Sequence, residues 1–205
     1  MSDATPLTLA DISDQRAYER ERDEFRRTVI AVKKLRRVSI GPVITATFEN
    51  RLTMRFQVQE MARAERMFSD QQIQGELDIY NRLLPAHGEL SATLFLELTS
   101  DSQLREWLPK LVGIERAVEF RIGRPGSADV VPSVPEADHA SHLTREAVTS
   151  AVHYIRFRFT EAQVDAFAEG PVVLAVVHPL YPEGAEGTEL STASRAELLG
   201  DLRGP

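Results

Sequence analysis

The sequence predicts an α+β fold, a single mostly antiparallel sheet with helices packed on it. Segments with strand periodicity and segments with helical periodicity neither alternate strictly nor form two separate groups, which favours this class over a parallel α/β arrangement. Short runs of alternating apolar residues mark the strands. Capping patterns, in which Ser or Thr is followed three residues later by Gln or Glu, mark helix starts at Ser69, Ser100, Thr160 and Ser194.

The first half of the chain contains five predicted elements. Apolar residues recur at helical spacing over residues 14–35, and the acids of this segment precede its bases, which complements the helix dipole. Residues 38–48 have the pattern of extended chain bent by a Gly-Pro pair. Residues 54–61 suit a strand or a helix, and helix is the preferred interpretation. A further helix follows the Ser69 cap, and residues 90–98 alternate like a half-buried strand.

The second half of the chain continues this mixture. Its predicted elements are helices at 100–108, 160–169 and 194–199, and strands at 118–122, 151–159 and 172–177. The strand at 172–177 is apolar on both faces, which predicts a central position in the sheet. Alternation along the strand at 151–159 places His153 on the core face. The opposite face carries Tyr154, Arg156 and Arg158.

The chain is interpreted as a single domain over residues 1–205, because this length allows one contiguous hydrophobic core. Apolar residues make up 42% and charged residues 27% of the sequence, which is typical of folded globular proteins. Residues 123–142 contain several prolines and glycines and show little periodicity. This segment is therefore predicted to be a mobile loop rather than a domain boundary.

The sequence contains no cysteine, which excludes thiolate-bound iron-sulfur clusters and zinc, disulfides and cysteine nucleophiles. Glycine-rich phosphate loops, the Rossmann fingerprint and the G-x-S-x-G elbow are also missing, so no cofactor is predicted. No apolar run reaches the roughly 18 residues of a membrane-spanning helix, and the first residues lack the pattern of a secretory signal. A soluble cytoplasmic protein with no membrane partner is the resulting expectation.

Nucleic acid is not expected as a partner, because the net charge of −7 opposes binding to phosphates. The one dense basic run, Lys33 to Arg37, lies at the predicted end of the first helix, where bases interact favourably with the helix dipole. We interpret this run as a solvated helix terminus. Only weak, salt-sensitive binding to DNA or RNA is predicted.

Histidines are the first candidates for chemistry. His153 and His178 lie on different strands that can converge at one end of a sheet, and a half-buried histidine can act as acid, base or metal ligand. Each also suits a purely structural role, held by a local hydrogen bond. His139 and His142 have the spacing of metal ligands, but the predicted mobile loop would hold a metal poorly.

Glu60 is the remaining catalytic candidate, because it lies among other charged residues on the second predicted helix. An ion pair with Arg63, three residues later on the same helix face, explains Glu60 equally well. The sequence leaves open whether the protein is an enzyme.

Seven short stretches spread over nearly the whole chain form a specific combination. They are Arg37-Val-Ser-Ile-Gly-Pro42, Phe48-Glu-Asn-Arg51, Phe56-Gln-Val-Gln-Glu-Met61, Glu89-Leu-Ser-Ala-Thr-Leu-Phe95, Val112-Gly-Ile-Glu-Arg116, Val152-His-Tyr-Ile-Arg-Phe157 and His178-Pro179. In this combination the sequence resembles a bacterial family known as domain of unknown function 3501.

The resemblance implies no established activity and no catalytic residues. Genes of this family are often found beside genes for rubrerythrin and for an iron-sulfur oxidoreductase of the heterodisulfide-reductase type. This context implies an accessory or partner-binding protein of a cytoplasmic redox module, with Tyr154, Arg156 and Arg158 as anchors, since Tyr and Arg are enriched at interface hot spots. The alternative is a small enzyme or metal-binding protein centred on His153 and His178, and a homo-oligomer is compatible with either.

Overall fold

The structure is a computed structural model that describes residues 5–124, 126, 128–136, 148–181 and 187–204. Within these residues the chain forms six α-helices and nine β-strands. The helices are α1 (Gln15–Arg36), α2 (Arg51–Ala64), α3 (Asp70–Tyr80), α4 (Asp101–Lys110), α5 (Glu161–Glu169) and α6 (Thr192–Arg203). The strands are β1 (Arg37–Ile40), β2 (Ile44–Glu49), β3 (Glu89–Leu96), β4 (Val118–Ile122), β5 (Asp129–Pro132), β6 (Val134–Pro135), β7 (Val152–Arg158), β8 (Val172–Val176) and β9 (Thr188–Glu189). Short 3-10 helices occupy Leu9–Asp11, Asn81–Leu83 and Ile114–Arg116.

The helix starts agree with the capping patterns at three of the four predicted positions. Ser69, Ser100 and Thr160 each accept a hydrogen bond from the main chain three residues later, and the Gln at that position completes the capping box. The fourth prediction is wrong, because Ser191 rather than Ser194 caps α6. Ser191 accepts from the Ser194 N–H, so the earlier serine satisfies the same geometry and the helix begins before the predicted cap.

The strands form two antiparallel sheets, so the α+β class is confirmed and the prediction of a single sheet is wrong. The first sheet has the order β1-β2-β3-β7-β6 and the second has the order β5-β4-β8-β9. Alternation along a strand determines which side chains share a face, but it carries no information about which strand is the neighbour. The single-domain interpretation stays a prediction.

Aromatic side chains from both sheets meet in one hydrophobic core. The Phe120 ring of the second sheet lies 4.7 Å from the Phe157 ring and 5.5 Å from the Phe48 ring, both of which belong to the first sheet. The Phe120–Phe157 contact is edge-to-face, and such aromatic pairs stabilise a core beyond the area that they bury. The two sheets therefore pack face to face through these rings.

β3 is the central strand of the first sheet, and β8 is one of the two interior strands of the second sheet. β8 lies between β4 and the two-residue β9, so the predicted interior position of this apolar strand holds within the second sheet. β3 was predicted to be half-buried, but its two faces are both covered. Leu90 and Leu94 belong to the shared core, while Ser91 and Thr93 are buried on the opposite face.

The segment predicted as a mobile loop contains two of the strands. β5 pairs with β4 and β6 pairs with β7, so the loop prediction is wrong for residues 129–135. Pro132 and Pro135 fit because both strands lie at sheet edges, where a missing N–H donor is tolerated. His139 and His142 lie outside the described residues.

The helices α2 and α3 cover a second, smaller hydrophobic cluster beside the first sheet. Its buried members are Leu7, Met54, Val58, Leu77, Leu83 and Leu84. Among the helices of the described residues, none has the length and apolar composition needed to cross a membrane.

Candidate functional site

His153 lies on β7 with its ring inside the protein, as its predicted core-face orientation requires. The residue is 2% exposed, and its cross-strand neighbour on β3 is Leu94. Nε2 lies 2.9 Å from the main-chain oxygen of Ser150 and 2.9 Å from Oγ1 of Thr149. Because a carbonyl oxygen can only accept, we assign the ring hydrogen to Nε2, which leaves a lone pair on Nδ1.

The Nδ1 atom of His153 faces a buried carboxylate. It lies 3.9 Å from Oε2 of Glu115, which belongs to the 3-10 turn before β4. Burial lowers the pKa of His153, while the negative charge of Glu115 and the hydrogen bond to Ser150 act in the opposite direction. The ring is therefore neutral at neutral pH.

A hydroxyl, an imidazole and a carboxylate lie in sequence here, as in the catalytic triad of hydrolases. These groups belong to Thr149, His153 and Glu115. Two observations oppose nucleophilic catalysis in this arrangement. Nε2 donates to Ser150, so it does not have the free lone pair needed to accept the Thr149 proton. The 3.9 Å separation between Nδ1 and Glu115 is too long for the hydrogen bond that orients a catalytic histidine.

His178 is held by the main chain on both sides of its ring. Nε2 lies 3.1 Å from the oxygen of Val112, and Nδ1 accepts a hydrogen bond from the N–H of Leu180 at 3.2 Å. His178 and His153 thus bind different groups, and a shared site stays a prediction. Within the described part of the chain, no three His, Asp or Glu side chains come together as a metal site would require.

Glu60 forms a structural ion pair between α1 and α2. Nε and Nη2 of Arg22 each donate to a different oxygen of Glu60 at 2.8 Å, and the hydroxyl of Tyr18 donates at 2.7 Å. The Arg22 guanidinium is the main reason that the pKa of Glu60 is lowered. The expected ion pair with Arg63 is wrong, because Arg63 reaches across to Glu19 instead.

Tyr154, one of the three predicted anchors, is partly buried. Its ring packs against the small hydrophobic cluster that α2 and α3 cover. Burial raises the pKa of the Tyr154 phenol, and the neighbouring Tyr80 and Glu49 add to this effect. Packing against the cluster occupies the ring, so its burial gives no support to a role as an interface anchor.

The other two predicted anchors, Arg156 and Arg158, share the carboxylate of Glu89. Arg156 donates from Nη1 to Glu89 at 3.1 Å and to the main-chain oxygen of Leu84 at 3.1 Å, and from Nη2 to the main-chain oxygen of Arg82. Arg158 donates from Nε to the other oxygen of Glu89 at 2.8 Å, while its side chain stays 70% exposed. Arg156 is thus held in place, and Arg158 presents its charge to solvent.

Both arginines line a cleft of about 550 Å³, which we call the arginine cleft. Its charged lining consists of Arg82, Glu89, Arg156 and Arg158, with His87 between them. Glu89 binds both Arg156 and Arg158, and the Arg158 side chain stays largely exposed at the cleft.

A second cleft of about 510 Å³, which we call the terminal cleft, adjoins the first. Leu84, Ala86 and His87 line both clefts. The terminal cleft adds Arg51 from the start of α2 and Arg203 from the end of α6. Arg51 is ion-paired with Asp11, and the nearby Asp201 is bound by Arg36. The linings of the two clefts contain five arginines, of which Arg51 is ion-paired with Asp11, and Arg156 and Arg158 with Glu89.

A buried arginine lies behind the wall of the terminal cleft. Arg36 is 0% exposed, and it donates to Asp201, to Glu197 at 3.0 Å and to the main-chain oxygens of Phe48 and Glu49 at 2.8 and 3.2 Å. The solvated interpretation of the basic run is therefore wrong for Arg36. Burial raises the pKa of Asp201, and the hydrogen bond from Arg36 opposes this rise.

Comparison with known proteins identifies the family. The model of DUF3501, a family described as a protein of unknown function, matches residues 6–202. The chain belongs to this family. A crystal structure of a novel protein of unknown function from Burkholderia pseudomallei is 35% identical, with a TM-score of 0.86, and the match covers 97% of this chain and 100% of that chain. No curated protein sequence is significantly similar to this DUF3501 chain.

The residue that joins the two clefts was missed by sequence reasoning. His87 is exposed in the turn between α3 and β3, and Gly88 follows it with a φ of 72°, a conformation that glycine adopts without strain. An exposed histidine in a turn beside a positive-φ glycine is the signal that was available, since connecting segments carry a large share of binding residues. The contributions of Arg51 and Arg203 come from distant elements, and only the fold brings them to this turn.

Proposed function

We propose that this protein is a partner-binding accessory protein that docks an acidic segment of a protein partner in the clefts around His87. The observation that carries the proposal is that the exposed Arg158 and Arg203 line adjoining clefts around His87 in a chain whose net charge is −7. A local concentration of positive charge on an acidic protein favours an acidic ligand over the rest of the surface.

The chemistry of the lining supports recognition of carboxylates. Guanidinium groups match carboxylates in planar geometry, and arginine is enriched among the residues that dominate binding energies. Arg156 is fixed by Glu89 and two main-chain oxygens, so its position is set before a partner arrives. Pre-positioned groups lose less conformational entropy on binding, which leaves more of the interaction energy for affinity.

The proposed partner is the iron-sulfur oxidoreductase or the rubrerythrin of a cytoplasmic redox module, the two proteins implied by gene context. Without cysteine, this chain has no thiolate for a cluster of its own. A docking role is compatible with that composition. The histidine-centred enzyme is less well supported, because His153 is buried in the interior with its Nε2 engaged by Ser150.

The test is direct binding between the purified full-length protein and each of the two purified candidate partners. We expect affinity that falls as salt is raised, and we expect Arg158→Ala combined with Arg203→Ala to weaken it about tenfold or more. Arg105→Ala is the matched control, since Arg105 is an exposed arginine on α4 outside both clefts.

Three outcomes would contradict the proposal. They are absence of binding to both partners, unchanged affinity in the double variant, and equal loss in the Arg105→Ala control. Tighter binding to an RNA or DNA oligonucleotide than to either protein would assign the clefts to phosphates instead.

A further inference from the structure

The carboxylate of Glu115 contains a buried oxygen without a hydrogen-bond partner. Glu115 is 7% exposed, and its Oε2 is the buried side-chain N or O atom that lacks a partner among the described residues. Leaving a buried carboxylate oxygen unpaired costs free energy, because the oxygen has lost water without gaining a donor. Such an atom needs a physical explanation.

The atom that faces this oxygen is Nδ1 of His153, which carries no hydrogen in the assigned tautomer. Nε2 of His153 uses the ring hydrogen towards Ser150, so Nδ1 and Glu115 Oε2 are two acceptors 3.9 Å apart. One proton added to Nδ1 would convert this unfavourable pair into a donor and an acceptor. The separation would then need to shorten by about 1 Å to reach hydrogen-bond length.

The two groups belong to different sheets. His153 is on β7 of the first sheet, whereas Glu115 lies in the turn that leads into β4 of the second sheet. Ser133 connects the same region, since its hydroxyl donates to the Glu115 main-chain oxygen at 3.0 Å and accepts from the Val118 N–H at 3.3 Å. Ser133 therefore links the turn that carries Glu115 to the start of β4.

We propose that His153 and Glu115 form a buried, proton-operated latch between the two sheets. The latch is open while the ring of His153 is neutral and its hydrogen lies on Nε2. It closes when a proton from solvent binds Nδ1 of His153, which forms one N–H bond and an ion pair with Glu115. No other bond is made or broken.

Within the described residues, the surroundings of this pair are mostly uncharged. Glu115 is the charged group that acts on His153 among the described residues, and the facing residue on β3 is the apolar Leu94. Thr149 and Ser150 contribute a hydroxyl and a carbonyl, neither of which titrates in this range. The low polarity around the pair strengthens its interaction, because weak screening increases the effect of one charge on another.

The experiment is an NMR titration of the full-length protein with isotope-labelled histidine rings, from about pH 8 to about pH 5. We assign the His153 signal by its loss in His153→Gln. At the upper end we expect the Nε2–H tautomer, and on acidification we expect a proton to bind at Nδ1. In Glu115→Gln we expect the His153 midpoint to move about one unit lower, because the variant removes the carboxylate that favours the charged ring.

Glu106→Gln is the control, since Glu106 is an exposed carboxylate paired with Lys110 on α4. An Nδ1–H tautomer at the upper end, or an unchanged midpoint in Glu115→Gln, would overturn the latch. If Glu115→Gln does not fold, the wild-type tautomer alone still decides the first of these outcomes.

Discussion

Arg36 and Arg158 are both arginines, but one guanidinium is buried in the protein and the other is exposed to solvent. Arg36 is completely buried at the end of α1, and its guanidinium donates to two main-chain oxygens and two carboxylates. Arg158 is 70% exposed on the arginine cleft, and it shares the carboxylate of Glu89 with Arg156. A buried guanidinium is tolerated when its donors are paired within the protein, whereas an exposed one keeps donors for a ligand. The comparison distinguishes charge that stabilises the fold from charge that is available for binding.

The strongest test of this comparison is Arg36→Met, which removes the buried charge and keeps an apolar side chain of similar length. We expect a loss of about 3–5 kcal/mol in the free energy of unfolding, because Asp201 loses its partner and two main-chain oxygens lose their donors. Urea denaturation measures the change. Lys34→Met is the control, since Lys34 is exposed and lies two residues before Arg36 on the same helix. This variant should change the free energy of unfolding by less than about 0.5 kcal/mol. Equal effects of the two variants would contradict a structural role for Arg36.

An intermediate effect is expected at His153, which is buried like Arg36 but whose facing carboxylate, Glu115, lies 3.9 Å from its ring, beyond hydrogen-bond distance. Burial lowers its pKa in the folded protein below the ordinary value of 6.5, so the unfolded chain binds a proton more readily. The stability that depends on the neutral ring is therefore present above pH 6.5 and is lost as the pH falls through the lowered pKa.

We expect the stability of the wild type to fall more steeply with acidification below pH 6.5 than that of His153→Gln, by up to about 1.4 kcal/mol per pH unit. Urea denaturation at a series of pH values gives the two slopes. Identical slopes for wild type and His153→Gln would be inconsistent with a buried neutral ring.

The smallest effect on stability is expected for Arg158→Ala. Its ion pair with Glu89 is largely exposed on the arginine side, so solvent screens the interaction and the loss should be below about 1 kcal/mol. Thermal or urea denaturation checks this value, and the same variant enters the binding experiment. A large loss of stability would show that Arg158, like Arg36, mainly stabilises the fold. It would contradict the proposed role of Arg158 in binding a partner.

The local elements could be predicted from the sequence because each depends on neighbouring residues. The helix at 14–35 has its apolar stripe within the segment itself, and the Ser69 cap needs only the Gln72 that follows three residues later. The alternation at 151–159 likewise placed His153 on the buried face. Errors appeared where two local solutions competed, as at Ser191 and Ser194.

The sequence by itself determined the α+β class, most of the helices and strands, the absence of thiol chemistry and the resemblance to the family that comparison confirms. The tertiary structure alone decided that there are two sheets, that Arg36 is buried, and that Arg51, Arg158 and Arg203 line two adjoining clefts that share His87. The physical reason is range: periodicity and capping act over a few residues, whereas strand pairing joins residues up to 69 positions apart, such as Glu89 and Arg158, and Arg36 binds Asp201 165 residues later.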